Sequence, residues 1–169
     1  NPATGTYGGI DRSAAVGTFW RSQVKTGTTL TAANIQQDMN TLYATLVRGK
    51  NVPDLVIMGN DLWNLYVASL QAQQRFTDPS RAKLGFPSLG YMTGEVVLDG
   101  GIGNLVPAKT AFMLNTEYIF LRPHASRDMV AISPDKRSAI NQDAEVSILG
   151  WAGNLTCSGA QFQGRLIGT

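Results

Sequence analysis

The chain has one cysteine, Cys157, and one histidine, His124, in 169 residues. A single cysteine excludes an internal disulfide framework and any cysteine-rich zinc site. A single histidine removes most catalytic and metal-binding constellations built on imidazole. Charge is also scarce, at 15% of residues against about 25% in a typical globular protein. The 14 basic and 12 acidic side chains leave a net charge of +2, and no stretch gathers the basic ones into a cluster. Proteins that bind nucleic acid through phosphate neutralisation carry a basic stripe, so specific duplex recognition is not indicated. Apolar runs are short. Leu55 to Met58 is typical, far below the roughly 20 residues that cross a bilayer, so no membrane partner is expected. The chain starts at Asn1 without a methionine or a signal-peptide pattern, and it reads as a processed product or a fragment.

What is present is enough apolar material, 43% of residues, for one compact domain or one domain with a small annex. Residues 1–29 mix glycine, threonine and serine with Ile10, Val16, Phe19, Trp20 and Val24, the pattern of strands and turns that pack on something else. A helix follows, with Thr31 as its N-cap and Ala32, Ile35, Met39, Leu42 and Leu46 on one stripe. Arg48-Gly49 stops it. Pro53 then opens a short buried strand, Leu55–Met58, and Asn60 or Asp61 caps a second helix carrying Leu62, Leu65, Tyr66, Ser69 and Leu70. Helix, strand and helix with short joints predict a sheet covered by helices on at least one face.

Residues 77–94, punctuated by Asp78-Pro79, Gly85, Pro87, Gly90 and Gly94, read as a long loop of the kind that makes contacts. Strands are predicted at Glu95–Asp99, Ala111–Leu114, Tyr118–Leu121 and Met129–Ile132, followed by a polar patch at Ser133–Ser138. Further on, Val146 and Ile148 alternate with Glu145 and Ser147, and Phe162, Gly164 and Leu166 alternate with Gln161, Gln163 and Arg165. That alternation predicts half-buried antiparallel strands in a hairpin turning near Ser158-Gly159. No internal repeat is apparent.

Chemistry-bearing residues are few. Asp99-Gly100-Gly101-Ile102-Gly103-Asn104 lacks the third glycine and the following helix of a dinucleotide loop, so its glycines read as turn residues. His124 and Cys157 could in principle form a nucleophile and base, but a lone cysteine on a strand more often packs as a small hydrophobe. Asp135, Asp143 and Glu145 lack the spacing of a calcium loop. Asn154-Leu155-Thr156 matches a glycosylation sequon without secretory context. Phe19, Trp20, Trp63, Trp151 and Phe162 have no interleaved basic residues for base stacking and read as core or interface residues. Catalytic, cofactor-binding and metal-ligating residues are therefore all expected to be absent, and no cofactor is implied.

Several segments in order resemble the major capsid proteins of tailed bacteriophages, the Hong Kong 97 fold family. They are Gly8–Ser13 with Trp20-Arg21; the helix Leu30–Lys50 leading into Val52–Ile57; Val97–Gly103; Leu114–Pro123; Asn141–Ala144; and Gly150–Cys157. The resemblance implies an α+β fold: an axial domain with a helix-covered sheet, plus antiparallel strands of a peripheral domain. It assigns residues 1–29 to peripheral entry strands, 30–132 to the axial domain and 133–169 to returning peripheral strands. Family members also carry an N-terminal arm, an extended loop and a long spine helix that have no counterpart in this sequence, which matches the C-terminal portion.

The implied function is a non-enzymatic capsid subunit in the virion. It would be made in the bacterial host cytoplasm and would assemble with copies of itself as pentamers and hexamers around packaged double-stranded DNA. Scaffold and portal proteins are implied partners, and DNA contact would be nonspecific. Some family members form covalent Lys–Asn cross-links, but no motif here assigns those partners. Arg75, Asp78, Arg81 and Lys83, in or beside the 77–94 loop, are the candidate subunit contacts. An encapsulin-like protein cage is the alternative within the fold. A small α/β enzyme or ligand-binding module is the alternative outside it.

Overall fold

The computed structural model describes residues 4–70, 88–100, 105–132, 137–138, 143 and 145–169. Its chain forms two compact units, residues 1–118 with 159–169, and residues 119–158.

The larger unit is organised by the apolar stripe of the first helix. Helix α1 spans Ile35–Leu46, and Ile35, Met39, Leu42 and Leu46 are all buried on its inner face. It starts later than the Thr31 cap predicted, with Asn34 at the N-cap position. The Thr31 carbonyl accepts from the Asn34 and Ile35 amides, and the Asn34 side chain accepts from the Thr31 amide at 2.7 Å. The threonine thus contributes its backbone and the asparagine its side chain. After Leu46 the backbone turns extended at Val47, and Gly49 takes φ +62° in the turn that follows, a conformation glycine adopts without a Cβ penalty.

Small strands β1 (Thr6–Tyr7) and β2 (Ile10–Asp11) pair near the N-terminus. Six others form one sheet: β3 (Gln23–Thr28), β4 (Leu55–Met58), β5 (Ser88–Tyr91), β6 (Gly94–Leu98), β7 (Thr110–Leu114) and β14 (Gly164–Gly168). Their order is β3-β14-β7-β4-β6-β5. The sheet is mixed, because β3–β14 and β4–β6 are parallel while β14–β7, β4–β7 and β5–β6 are antiparallel. Register places Val56, Met58, Val96, Ala111, Met113 and Leu166 on one face. These residues form a single core with α1 and with Leu62 and Tyr66 of α2 (Asn60–Leu70). Both helices therefore cover the same face. The opposite face carries Leu55, Ile57, Val97, Phe112 and Ile167, all half-buried.

Gly164 lets α1 approach β14 closely. A Cβ there would come within 2.5 Å of the Leu46 Cδ1 and 3.3 Å of the Leu42 Cδ1. β3, from residues 1–29, and β14, from residues 133–169, pair with each other, and β14 also pairs with β7. All three sequence segments thus meet in one sheet.

Two expectations about loops change. The segment predicted as loop from 77 to 94 ends in a hairpin, since β5 and β6 pair across a turn at Met92-Thr93. Tyr91 at this hairpin is buried, donates to Asn40 at 2.6 Å, and stacks edge-on against Tyr43 and Tyr66. Buried tyrosines supply the packing that a Gly-punctuated sequence conceals. The hairpin predicted to turn near Ser158-Gly159 does not form. β13 (Gly153–Cys157) pairs with β8 (Ile119–Pro123), whereas β14 pairs with β3 and β7. Alternation sets which side chains share a face and leaves the partner strand open.

Candidate subunit-interaction surface

Several carboxylates of the larger unit hold turns and caps. Asp54 accepts from the Thr116 amide at 2.8 Å and from its hydroxyl. Asp61 accepts from the Leu62 amide at 2.9 Å and from the Lys109 amide. Asp99 accepts from the Val106 amide at 2.6 Å; residues 101–104 of the glycine-rich segment expected to turn here lie outside the described residues. The Ser13 hydroxyl and amide donate to Asp11 at 2.6 and 2.8 Å. Those bonds, the hydroxyl's first, hold the Asp11 carboxyl below its ordinary range. Asp38 is buried on α1 with Lys25 Nζ 3.8 Å away. Burial raises the Tyr66 and Tyr91 phenols above their usual range. Among the described residues, no three His, Cys, Asp or Glu side chains gather as a metal site would require.

The smaller unit keeps His124 and Cys157 apart. Cys157 pairs with Ile119 at one end of the β8–β13 ladder, and His124 lies five positions beyond Ile119. At ~3.3 Å per residue the two are roughly 16 Å apart, too far for proton transfer. His124 instead accepts from the Ser126 amide at 3.3 Å within its own turn. Of the acidic trio, Asp143 and Glu145 are exposed, and Asp135 lies outside the described residues. The predicted contact residues Arg75, Asp78, Arg81 and Lys83 lie outside the described residues as well.

What distinguishes the smaller unit is its surface. Short ladders join β9 (Val130–Ala131) to β12 (Leu149–Gly150) and β10 (Arg137–Ser138) to β11 (Glu145–Val146), beside the longer β8–β13 pair. Among its described residues none is buried. The strand around Val146 and Ile148, predicted half-buried, is exposed. Trp151, predicted to pack, is 46% exposed here, as Phe19 is 58% exposed in the larger unit. Trp20, Trp63 and Phe162 do pack, Phe162 against Tyr118 with ring centres 4.5 Å apart.

Register sorts the β8–β13 ribbon into two unlike faces. Leu121 sits opposite Leu155 and Ile119 opposite Cys157 on one face; Arg122 sits opposite Asn154 and Phe120 opposite Thr156 on the other. The polar face is internally knit, with Arg122 Nε donating to the Thr156 hydroxyl at 3.1 Å and the guanidinium 5.5 Å from the Phe120 ring. On the apolar face Leu121 and Leu155 are each 63% exposed. A two-stranded ribbon is at best marginally stable in water without a layer against its apolar face. The alternation Leu155-Cys157 was visible in the sequence; the exposure of Leu155 was not.

The fold has a counterpart among solved structures. The chain matches a chain of the cyanophage A-1(L) capsid asymmetric unit with a TM-score of 0.57 at 15% identity, over 99% of its own length. It shares a phage capsid fold. The match covers 56% of that capsid chain, so this sequence spans little more than half of its length. At such low identity the likeness is one of fold. No protein-family model matches the chain, and no curated protein matches it in sequence. No helix among the described residues is long and apolar enough to cross a membrane.

Proposed function

We propose that this chain is a structural subunit of a bacteriophage capsid of the Hong Kong 97 type, corresponding to the C-terminal portion of such a protein, and that it works by association with copies of itself. The observation that carries this reading is the smaller unit: forty residues, 119–158, with no buried side chain among those described and with nine large apolar ones exposed. A subunit that completes its packing only in an assembly has this property, whereas an enzyme or ligand-binding module concentrates perturbed ionisable groups in a cleft. The carboxylates Asp54, Asp61 and Asp99 are committed to holding turns, which fits a structural role.

On this reading the chain forms pentamers and hexamers in a shell around double-stranded DNA. A net charge of +2 supports only weak, nonspecific contact with that DNA. Scaffold and portal proteins are its further partners, and the virion is its destination after synthesis in the bacterial host cytoplasm. Residues 30–132 supply the axial part, and 1–29 with 133–169 the peripheral strands. Arg75, Asp78, Arg81 and Lys83 remain proposed contacts around the capsomer centre.

The test is electron microscopy of the product of the native reading frame under assembly conditions, with scaffold supplied. Closed shells or capsomer rings are the expected result. A product that stays monomeric refutes the proposal. Shells that enclose protein cargo in place of DNA would assign the chain to the encapsulin-like cages.

A further inference from the structure

We infer that the bend at residues 124–132 of the smaller unit holds a small anion site, with Arg127 and Ser126 as its donors and a phosphate-class oxyanion as its ligand. The site goes beyond the shell reading and does not depend on it.

The site begins with the backbone. Pro123 sits opposite Gly153 and Val130 opposite Gly150, so residues 124–129 face only Trp151 and Ala152 and the chain loops outward. Three hydrogen bonds pin the loop. The His124 amide donates to the Ala152 carbonyl at 2.8 Å, the Ala152 amide to the Arg127 carbonyl at 2.8 Å, and the Arg127 amide to the His124 carbonyl at 2.9 Å. Met129 takes φ +52° where the chain turns back, a left-handed conformation that costs a residue with a side chain energy.

The loop borders a cavity of about 270 Å³ lined by Ser126, Arg127, Val130, Ala131 and Ile132. Gly150 keeps it open. A Cβ there would come within 2.9 Å of Ile132 Cδ1 and 3.7 Å of Arg127 Nη1, so the isoleucine and the guanidinium lie over bare backbone. Among the described residues the Arg127 guanidinium makes no hydrogen bond or ion pair, with neighbouring Asp128 included. Its N–H fork is therefore available to a ligand. The Ser126 hydroxyl lies 3.0 Å from His124 Nδ1 and is able to rotate toward a bound oxygen.

Size and chemistry select the ligand. The cavity is smaller than the ~300–1,000 Å³ of pockets for drug-sized molecules, which leaves room for one compact group. A carboxylate uses only the two prongs of the guanidinium fork. A phosphoryl group fills both and offers a third oxygen to the serine hydroxyl. Val130 and Ile132 form an apolar floor that keeps water from one side of these bonds and strengthens them.

The experiment is an amide chemical-shift titration of the 169-residue chain with inorganic phosphate, with acetate at matched ionic strength as the comparison. Phosphate should give saturable shifts at residues 124–132 and 150–152, and acetate weaker ones. Arg127→Gln should weaken phosphate binding roughly tenfold or more. Arg48→Gln, at an exposed arginine of the larger unit, removes the same charge and should leave the binding unchanged. Because the Arg127 side chain is exposed and unpaired, its variant should keep the parent's circular dichroism. Gly150→Val keeps the charge, suits a strand and fills the cavity, so it should weaken binding in the same direction.

A short DNA duplex as second ligand separates two sources of the same chemistry. If the site serves a nucleic-acid backbone, Arg127→Gln lowers duplex affinity more than Arg48→Gln does. If it serves a free phosphate compound, the two variants bind duplex alike. Both results support an oxyanion site. Phosphate shifts that never saturate, that acetate matches, or that survive Arg127→Gln overturn it.

Discussion

Gly164→Ala should destabilise the protein through one contact, and a second substitution should reverse the effect. The added Cβ would lie 2.5 Å from Leu46 Cδ1 and 3.3–3.4 Å from both Leu42 methyls. A methyl placed at 2.5 Å is well inside van der Waals contact, and both leucines are buried on the face of α1 that meets the sheet. Neither has solvent to move into, so α1 must shift or a leucine must leave its rotamer. Such overpacking costs about 1–3 kcal/mol. Leu46→Ala alone leaves a cavity and costs about 2–5 kcal/mol. In the double variant the alanine methyl at 164 occupies space that Leu46 vacated. The two changes should therefore combine to less than their sum, by about 1–3 kcal/mol. Urea unfolding of the parent, both single variants and the double variant measures this coupling. At this chain length each kcal/mol corresponds to about 2–4 °C in melting temperature. Additive effects within about 0.5 kcal/mol would show that α1 does not rest on Gly164.

Leu42→Asp should cost several kcal/mol, since an unpaired carboxylate would enter the core beside Val56 and Met113; a melting temperature within a degree or two of the parent would contradict the core assignment. Gln163→Ala should cost about 2 kcal/mol, because its side-chain amide accepts from the Asn115 amide and donates to the Asn115 carbonyl, both at 3.0 Å, and Asn115 is buried; chemical denaturation checks it. Tyr66 and Tyr91 have phenol pKa values raised by burial, so their contribution is fully present below the unfolded value near 10 and is lost as pH rises beyond it. Denaturation midpoints should fall between pH 9 and pH 11, and Tyr91→Phe should make that fall shallower.

The sequence by itself determined the elements whose signal is local. The 3.6-residue stripe Ile35, Met39, Leu42 and Leu46 names both a helix and its buried face, because burying those four side chains together is possible only in that conformation. Leu55–Met58, a short apolar run bounded by Pro53 and Gly59, likewise emerged as a strand, with Val56 and Met58 buried. The order of weak motifs already pointed to a capsid fold.

Tertiary structure decided what depends on residues far apart in the chain. Gly164 and Leu166 carry the same alternation as Leu155 and Cys157, yet β14 joins the large sheet while β13 pairs with β8. Alternation reports that one face differs from the other, and strand pairing depends on which distant edge is free to accept hydrogen bonds. The same holds for exposure. Val146, Ile148 and Leu155 look like core residues in sequence, since an apolar side chain carries no mark of whether its cover comes from its own unit or from another molecule. Only the tertiary structure, in which no described residue of 119–158 is buried, turns those side chains into a surface.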